Sequence, residues 1–376
     1  MIVGIDCSSV LDRKTGVGNY VHNLLLKLAE IDERNVYKLF FYSLRHLDRA
    51  KAAQYDFTYR ETIMLRTPKP FLDFLWFRLK FPSIEFFTGE VDIFHSDFYS
   101  PLVRKGKSII TIYDMSFFAY PELQTRTVQG WRNRVVESCQ RASKIITISN
   151  FSKSEILKYV DMPEEKIKVI YPGVDFKKKV VNMDEDGVLR KYKLSKEYIL
   201  FVGTIEPRKN LENLARAFKL LRENGTYRNK YDLVIVGKLG WKYEAFFKTL
   251  GDLNIGDGVK FLGYIPDNEL SIVYRRALLF VYPSIYEGFG LPVLEAMANE
   301  VPVITSNSSS LSEIAGGGAA LLINPHKYKE IYEAIEGVLR DSELRSRLIK
   351  EGKKQVQRFS WIKTAEETLE IYKETH

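Results

Sequence analysis

Short apolar runs alternate along this chain with stretches in which apolar residues return every three or four positions. The first kind predicts buried strands and the second amphipathic helices. Residues 2–6 form such a run. Val21, Leu24, Leu25 and Leu28 follow at helical spacing, predicting a helix over 20–30 with Asn19 as its cap. Further strands are expected at 36–42, 57–65, 91–95, 108–113, 144–149 and from 167. The pattern then restarts. Strands are expected at 198–203, 231–237, 259–263, 277–282, 301–305 and 319–323. Helices are expected from Asn210 to 223, over 266–275, 293–299 and 308–315, and from 326 onward. Strand–helix alternation in both halves predicts two doubly wound α/β domains. A length of 376 residues also exceeds one ordinary domain. We place the boundaries at 1–174, a hinge at 175–195, a second domain at 196–358, and a last helix over 359–376.

Composition narrows the classes. With 45% hydrophobic and 13% aromatic residues, both halves can build cores. Cys7 and Cys139 are the two cysteines, and neither stands at metal-ligand spacing. That excludes a disulfide or zinc scaffold and fits a cytoplasmic protein. The chain opens straight into a strand, and no apolar run reaches the roughly 18–20 residues of a membrane span. A net charge of +8 with pI ≈ 9.1 permits anionic small substrates, an anionic membrane surface or nucleic acid. No nucleic-acid module is visible, so we expect no nucleic-acid partner.

Candidate chemistry gathers where strands run into glycines and then helices. In residues 282–298 a strand is followed by Gly288, Gly290 and a helix with Pro292 near its start. Backbone N–H groups at such a helix start bind phosphate. Glu287 and Glu295 flank the turn, as carboxylates that accept hydrogen bonds from sugar or ribose hydroxyls would. Arg208 and Lys209 lie beyond another strand end and suit an anion. Gly16-Val17-Gly18 lies in the loop that leads into the first helix. It lacks the third glycine of a dinucleotide fingerprint, since position 21 is valine. His95 and Tyr113-Asp114 mark two more strand ends. Asp114 either orients an acceptor hydroxyl or terminates its strand. Residues 71–81 hold five aromatics among Asp73, Arg78 and Lys80, and form a groove wall, an interfacial anchor or a core helix. The basic stretch 125–141 attracts an anionic acceptor or is a solvated face. Asp184-Glu-Asp186 in the hinge reads as solvated charge.

Glu287-Gly-Phe-Gly-Leu-Pro-Val-Leu-Glu295, with its Tyr-Pro-Ser lead-in, resembles the signature of retaining nucleotide-sugar glycosyltransferases of family 4. The resemblance implies the GT-B fold, two Rossmann-like domains facing across a cleft. It implies that Glu287 contacts the donor sugar, that the amides of Phe289, Gly290 and Leu291 contact the diphosphate, that Glu295 holds the ribose, and that Gly288 belongs to the same donor site. Gly203 and Thr204 lead into Arg208 and Lys209, which match the family's diphosphate clamp. Gly237 leaves room for the nucleoside, and Tyr264 and Ile265 fall on the base-binding segment. Thr15 to Tyr20 match the loop that covers the diphosphate. Tyr113 stands where the family usually has histidine. Pro172 and Asp175 lie in the family's hinge, and Trp361 opens the final helix, which the resemblance implies crosses back to the first domain, the acceptor side, from the second, the nucleotide-sugar side.

The expected activity is transfer of a hexose from a nucleoside-diphosphate sugar to a glycan or lipid-linked acceptor in cell-surface polysaccharide synthesis. GDP-mannose is the favoured donor. No metal and no cofactor are required on this reading. The catalytic candidates are Glu287, Arg208, Lys209 and Asp114, with His95 and Tyr113 as sugar or acceptor contacts. A UDP-sugar donor, a sugar-nucleotide epimerase and a non-catalytic nucleotide-sugar-binding protein are the alternatives. The net charge and residues 71–81 suggest peripheral contact with the inner membrane face.

Overall fold

The computed structural model describes residues 1–12, 16–52, 55–174 and 184–376. The chain divides into two compact units. One comprises Met1–Gly173 with Ser360–His376, and the other Val174–Phe359. Thr15, Asp175 and hinge residues 176–183 lie outside the described residues.

The first unit holds seven strands: β1 (Ile2–Asp6), β2 (Val36–Tyr42), β3 (Arg60–Leu65), β4 (Ile93–Asp97), β5 (Lys107–Ile112), β6 (Lys144–Thr147) and β7 (Ile167–Val169). They pair in parallel in the order β3-β2-β1-β4-β5-β6-β7. The second unit holds six: β8 (Tyr198–Val202), β9 (Asp232–Val236), β10 (Val259–Gly263), β11 (Leu279–Tyr282), β12 (Val303–Ser306) and β13 (Leu321–Ile323). Their order is β10-β9-β8-β11-β12-β13, again all parallel. Both units are therefore doubly wound. Strand order reverses between β1 and β4 in one and between β8 and β11 in the other, and ligands favour the strand carboxyl ends at such points. Most central-strand residues are buried, which is why they read as continuous apolar runs rather than alternations.

Several local expectations change. The first helix spans Gly16–Ile31 and so begins before Asn19, which is exposed in its first turn. The two glycines are its opening residues rather than a separate loop. The hinge carries a helix. Asp184 Oδ1 accepts the Gly187 N–H at 2.8 Å and caps a helix over Glu185–Lys191. Glu185 and Asp186 pair with Arg275 and Arg276, an exposed solvated charge cluster. Residues 69–79 do form helix, but Lys69–Asp73 passes into a wider π-helical turn over Phe74–Leu79, closed by Lys80 in the left-handed region. The basic stretch breaks at Gly130 into helices Arg126–Gln129 and Arg132–Arg141. The final helix, Trp361–Thr375, packs on Gly16–Ile31 within the first unit.

Candidate active site

In the second unit, β8 and β11 are neighbours, so the loops after them start side by side. The loop after β8 makes a short turn over Pro207–Lys209 and reaches Asn210 in the left-handed region, at φ 58°. Asparagine tolerates that conformation better than most residues. Its amide donates to the carbonyls of Pro283 at 3.0 Å and Pro325 at 2.6 Å. The Ile285 N–H donates to the Arg208 carbonyl at 2.9 Å, fastening the two loops directly. This carries both cations onto Glu287. Arg208 Nη1 lies 2.8 Å from Glu287 Oε2, and Lys209 Nζ lies 2.6 Å from Oε1.

Each cation has a further partner. Arg208 donates through Nε and Nη2 to Glu206, and through Nη1 to the Tyr286 carbonyl. Lys209 donates to the Tyr282 hydroxyl at 2.7 Å. Glu206, Lys209 and Glu287 are all buried. Burial by itself would push the Glu287 carboxyl up. The charges of Arg208 and Lys209, with the Lys209 hydrogen bond, outweigh it and hold the group at about 2. Lys209 is lowered, chiefly by burial, with Glu287 opposing the shift. The paired reading of these residues is set by geometry. No local pattern in the chain marks Glu206 as a partner of Arg208.

The loop carrying Glu287 is pinned from β12's side by serines whose part was not foreseen. Ser309 Oγ accepts the Glu287 N–H at 3.1 Å. Ser310 Oγ lies 2.9 Å from the Glu287 carbonyl oxygen and 2.8 Å from that of Phe289, donating its one hydrogen between them. Ser308 donates to the Ile285 carbonyl at 3.1 Å. Gly290 caps the helix Leu291–Ala298 at φ 115°, a conformation that disfavours any side chain. Pro292 falls at the second helical position rather than the first. Gly288 lies within this loop, Phe289 is buried against Phe359, and Leu291 is half-buried at the helix start. Glu295, one turn on and half-buried, accepts the Tyr274 hydroxyl at 3.0 Å.

At the neighbouring strand ends, a Cβ on Gly237 would stand 2.0 Å from the Gly203 carbonyl oxygen. That glycine serves a close approach of backbone to backbone. Thr204 is half-buried after Gly203, Tyr264 is exposed, and Ile265 is buried.

The sequence-predicted residues of the first unit do not form one cluster. Gly16 is exposed, Gly18 is buried, and Val17 lines a cavity. His95 is corrected from a ligand contact to a core residue. It is buried, Nδ1 pairs with the Tyr372 hydroxyl and Nε2 with the Thr111 hydroxyl, each at 2.7 Å. Burial draws its imidazole down to about 4. Tyr113 is buried too, and its hydroxyl donates to Asp97 Oδ1 at 2.5 Å. Asp114 Oδ1 accepts the Ser116 N–H at 2.9 Å, the strand-end role. Asp97 itself was missed. Burial pushes its carboxyl up to about 7, with the Tyr113 bond opposing and Asp6 adding to the shift.

Residues 71–81 divide between two roles. Leu72 and Trp76 join the core beneath β2 and β4. Phe71, Phe74, Leu79 and Phe81, with Phe86, remain 52% to 73% exposed, beside the exposed Arg78 and Lys80. Among the described residues no helix is long and apolar enough to cross a membrane.

Comparison with known proteins matches residues 188–355 to the family model described as "Glycosyl transferases group 1", and residues 14–178 to "Glycosyltransferase Family 4". The chain is 35% identical over 285 residues to the O-antigen chain mannosyltransferase B of Escherichia coli, covering 75% of this chain and 74% of that one. Its fold is similar to sucrose-phosphate synthase of Thermosynechococcus elongatus, with TM-score 0.77 at 19% identity over 100% and 98% of the two chains. It is similar also to Anabaena Alr3699/HepE solved with UDP and glucose, with TM-score 0.75 at 17% identity over 99% of each chain.

Proposed function

Because the chain belongs to glycosyltransferase family 4 and has the GT-B fold of two Rossmann-like units, we propose that it transfers mannose from GDP-mannose, with retention of configuration, to a glycan or lipid-linked acceptor of a surface polysaccharide. The observation that carries this reading is the buried cluster of Glu287, Arg208 and Lys209 at the carboxyl ends of β8 and β11. In this reading the ionised Glu287 accepts hydrogen bonds from donor-sugar hydroxyls. As it takes them, Arg208 and Lys209 turn part of their hydrogen bonding to the diphosphate. The N–H groups at Gly290 and Leu291, at the positive end of the helix Leu291–Ala298, meet the charge that grows on the leaving phosphate. Glu295 holds the ribose. The acceptor attacks from the face that the diphosphate leaves, and the departing phosphate takes its proton. No metal is needed, so chelation should leave the rate unchanged, and loss of turnover in chelator would refute that part.

The mannosyl donor is supported by the name of the Escherichia coli relative. A UDP-sugar donor is the second reading, favoured by the UDP and glucose in the Anabaena structure. A panel of nucleotide sugars separates them. The true donor raises the melting temperature, since a ligand bound to the native state alone stabilises it. A shift with UDP-sugars and none with GDP-mannose would reverse the choice, and no shift with any would remove the transferase reading. The exposed phenyl groups of Phe71, Phe74, Phe81 and Phe86, beside Arg78 and Lys80, support docking on an anionic membrane at its cytoplasmic face, where a lipid-linked acceptor would lie. Sedimentation with anionic vesicles at low salt tests this, and absence of binding would exclude it.

A further inference from the structure

The first unit contains a cavity of about 540 Å³, within the roughly 300–1,000 Å³ of small-molecule sites. It opens where strand order reverses between β1 and β4. Asp6 ends β1 and Asp97 ends β4, and both line it, with Lys69, Trp76, Tyr99 and Trp131. We infer that this cavity binds a neutral pyranose of the acceptor, with Asp97 as the carboxylate that selects its hydroxyls; this rests on the transferase reading above.

Three observations converge. First, Asp97 is held in place before any ligand arrives. Ser9 donates to Oδ2 at 2.8 Å and Tyr113 to Oδ1 at 2.5 Å, and a carboxylate has acceptor sites beyond those two. Second, Trp76 is 3% exposed, and its buried indole N–H meets no acceptor among the described residues. A buried donor left without an acceptor destabilises the fold. A hydroxyl or ring oxygen of a bound sugar would satisfy it. Third, the cavity sets polar groups among aromatic rings. Asp6 and Asp97 stand with Lys69, whose ammonium lies 5.0 Å from the Tyr99 ring centre and 5.4 Å from that of Trp131. Donors and acceptors set among aromatic walls suit a polyol with apolar faces. Arg45 and His46 are exposed at the margin and are where an anionic group would be drawn instead.

The test uses the full chain with methyl α-mannoside, methyl α-glucoside and methyl α-galactoside as probes, and inorganic phosphate as the competing anion. Binding is read by thermal shift and intrinsic tryptophan fluorescence. At least one glycoside should bind. Asp97→Asn and Trp76→Phe should each weaken it about tenfold, the worth of one hydrogen bond involving a charged or buried group. The shift produced by the nucleotide sugar should stay as in the wild type. If Asp97→Asn fails to fold, Trp76→Phe carries the same comparison, because it keeps an aromatic ring and removes only the donor and the second ring. The inference is overturned if no glycoside binds, if binding survives in both variants, or if phosphate alone binds. Failure of the donor panel with glycoside binding intact would sink the transferase reading instead.

Discussion

Replacing Glu287 by glutamine keeps the side chain's shape and removes its charge. Arg208 would keep Glu206, but Lys209 would retain, among the described residues, only the Tyr282 hydroxyl and a neutral amide oxygen. Removing one partner of a buried pair costs about 3–5 kcal/mol, because the remaining charge is left poorly compensated. The titration of Glu287 gives a similar figure. A carboxyl brought from its ordinary 4.5 to about 2 contributes about 3 kcal/mol at roughly 1.4 kcal/mol per pH unit. The sign is that of a depressed acid. Its stabilisation is fully present above pH 4.5 and is lost as the pH falls from there toward 2. For a unit the size of Val174–Phe359, a loss of 3 kcal/mol lowers the melting temperature by about 6–12 °C. Differential scanning calorimetry at pH 7 should show that drop, and the wild-type and variant curves should converge as the pH is lowered below 4.5. Turnover of the nucleotide sugar, measured well below the variant's melting point, should fall about 100-fold with the charged acceptor for the sugar hydroxyls gone. Unchanged melting at pH 7 would refute the ion-pair account. Unchanged turnover in a folded variant would refute the assignment of Glu287 to the donor.

Ser310→Ala removes the hydroxyl shared by the carbonyls of Glu287 and Phe289. A loss of about 1–2 kcal/mol in chemical denaturation is expected, together with weaker nucleotide-sugar binding by calorimetry; stability equal to the wild type would show that the loop holds itself. Gly237→Ala places a Cβ against the Gly203 carbonyl oxygen. It should cost about 3 kcal/mol or more by overpacking and backbone strain, and a wild-type melting curve would contradict it. Asp97→Asn should raise stability at pH 8 relative to pH 5. Asp97's folded value of about 7 lies above the ordinary 3.8, so the native state holds the extra proton and loses stability as the pH rises through that interval. Parallel pH curves for wild type and variant would refute this.

The strands were legible because burial on both sheet faces writes itself as an unbroken apolar run. Their ends moved by one to three residues, as where 57–65 became Arg60–Leu65. The same principle held a warning about His95. A histidine within a run such as Ile93–Asp97 sits in a strand covered on both faces, and there its ring must find partners inside the core. Glu287, Arg208 and Lys209 could be read because each lies in a short local pattern at a strand end. The serines that pin their loop belong to the next strand–helix turn, and their register becomes visible only when β12 lies beside β11. Asp97 was hidden for a stronger reason. Its partners Ser9 and Tyr113 follow β1 and β5, so sheet order alone brings the three together.

The charge balance of the donor cluster bears on how the chemistry proceeds. Arg208 and Lys209 face two carboxylates, Glu206 and Glu287, so the cluster is formally neutral rather than a standing reservoir of positive charge. A diphosphate arriving at a neutral cluster gains little from simple Coulomb attraction. It gains when Glu287 exchanges cationic partners for sugar hydroxyls, because the released donors then face the phosphate. Free diphosphate cannot trigger that exchange, and a complete sugar nucleotide can. The arrangement therefore makes affinity for the diphosphate conditional on the sugar. A nucleoside diphosphate without its sugar should bind the wild type more weakly than the intact donor, and Glu287→Gln should narrow the gap by leaving Lys209 and the Nη1 arm of Arg208 without a carboxylate. Calorimetric titration of both ligands against both proteins measures it, and an equal gap in the two proteins would show that Glu287 does not gate the cations.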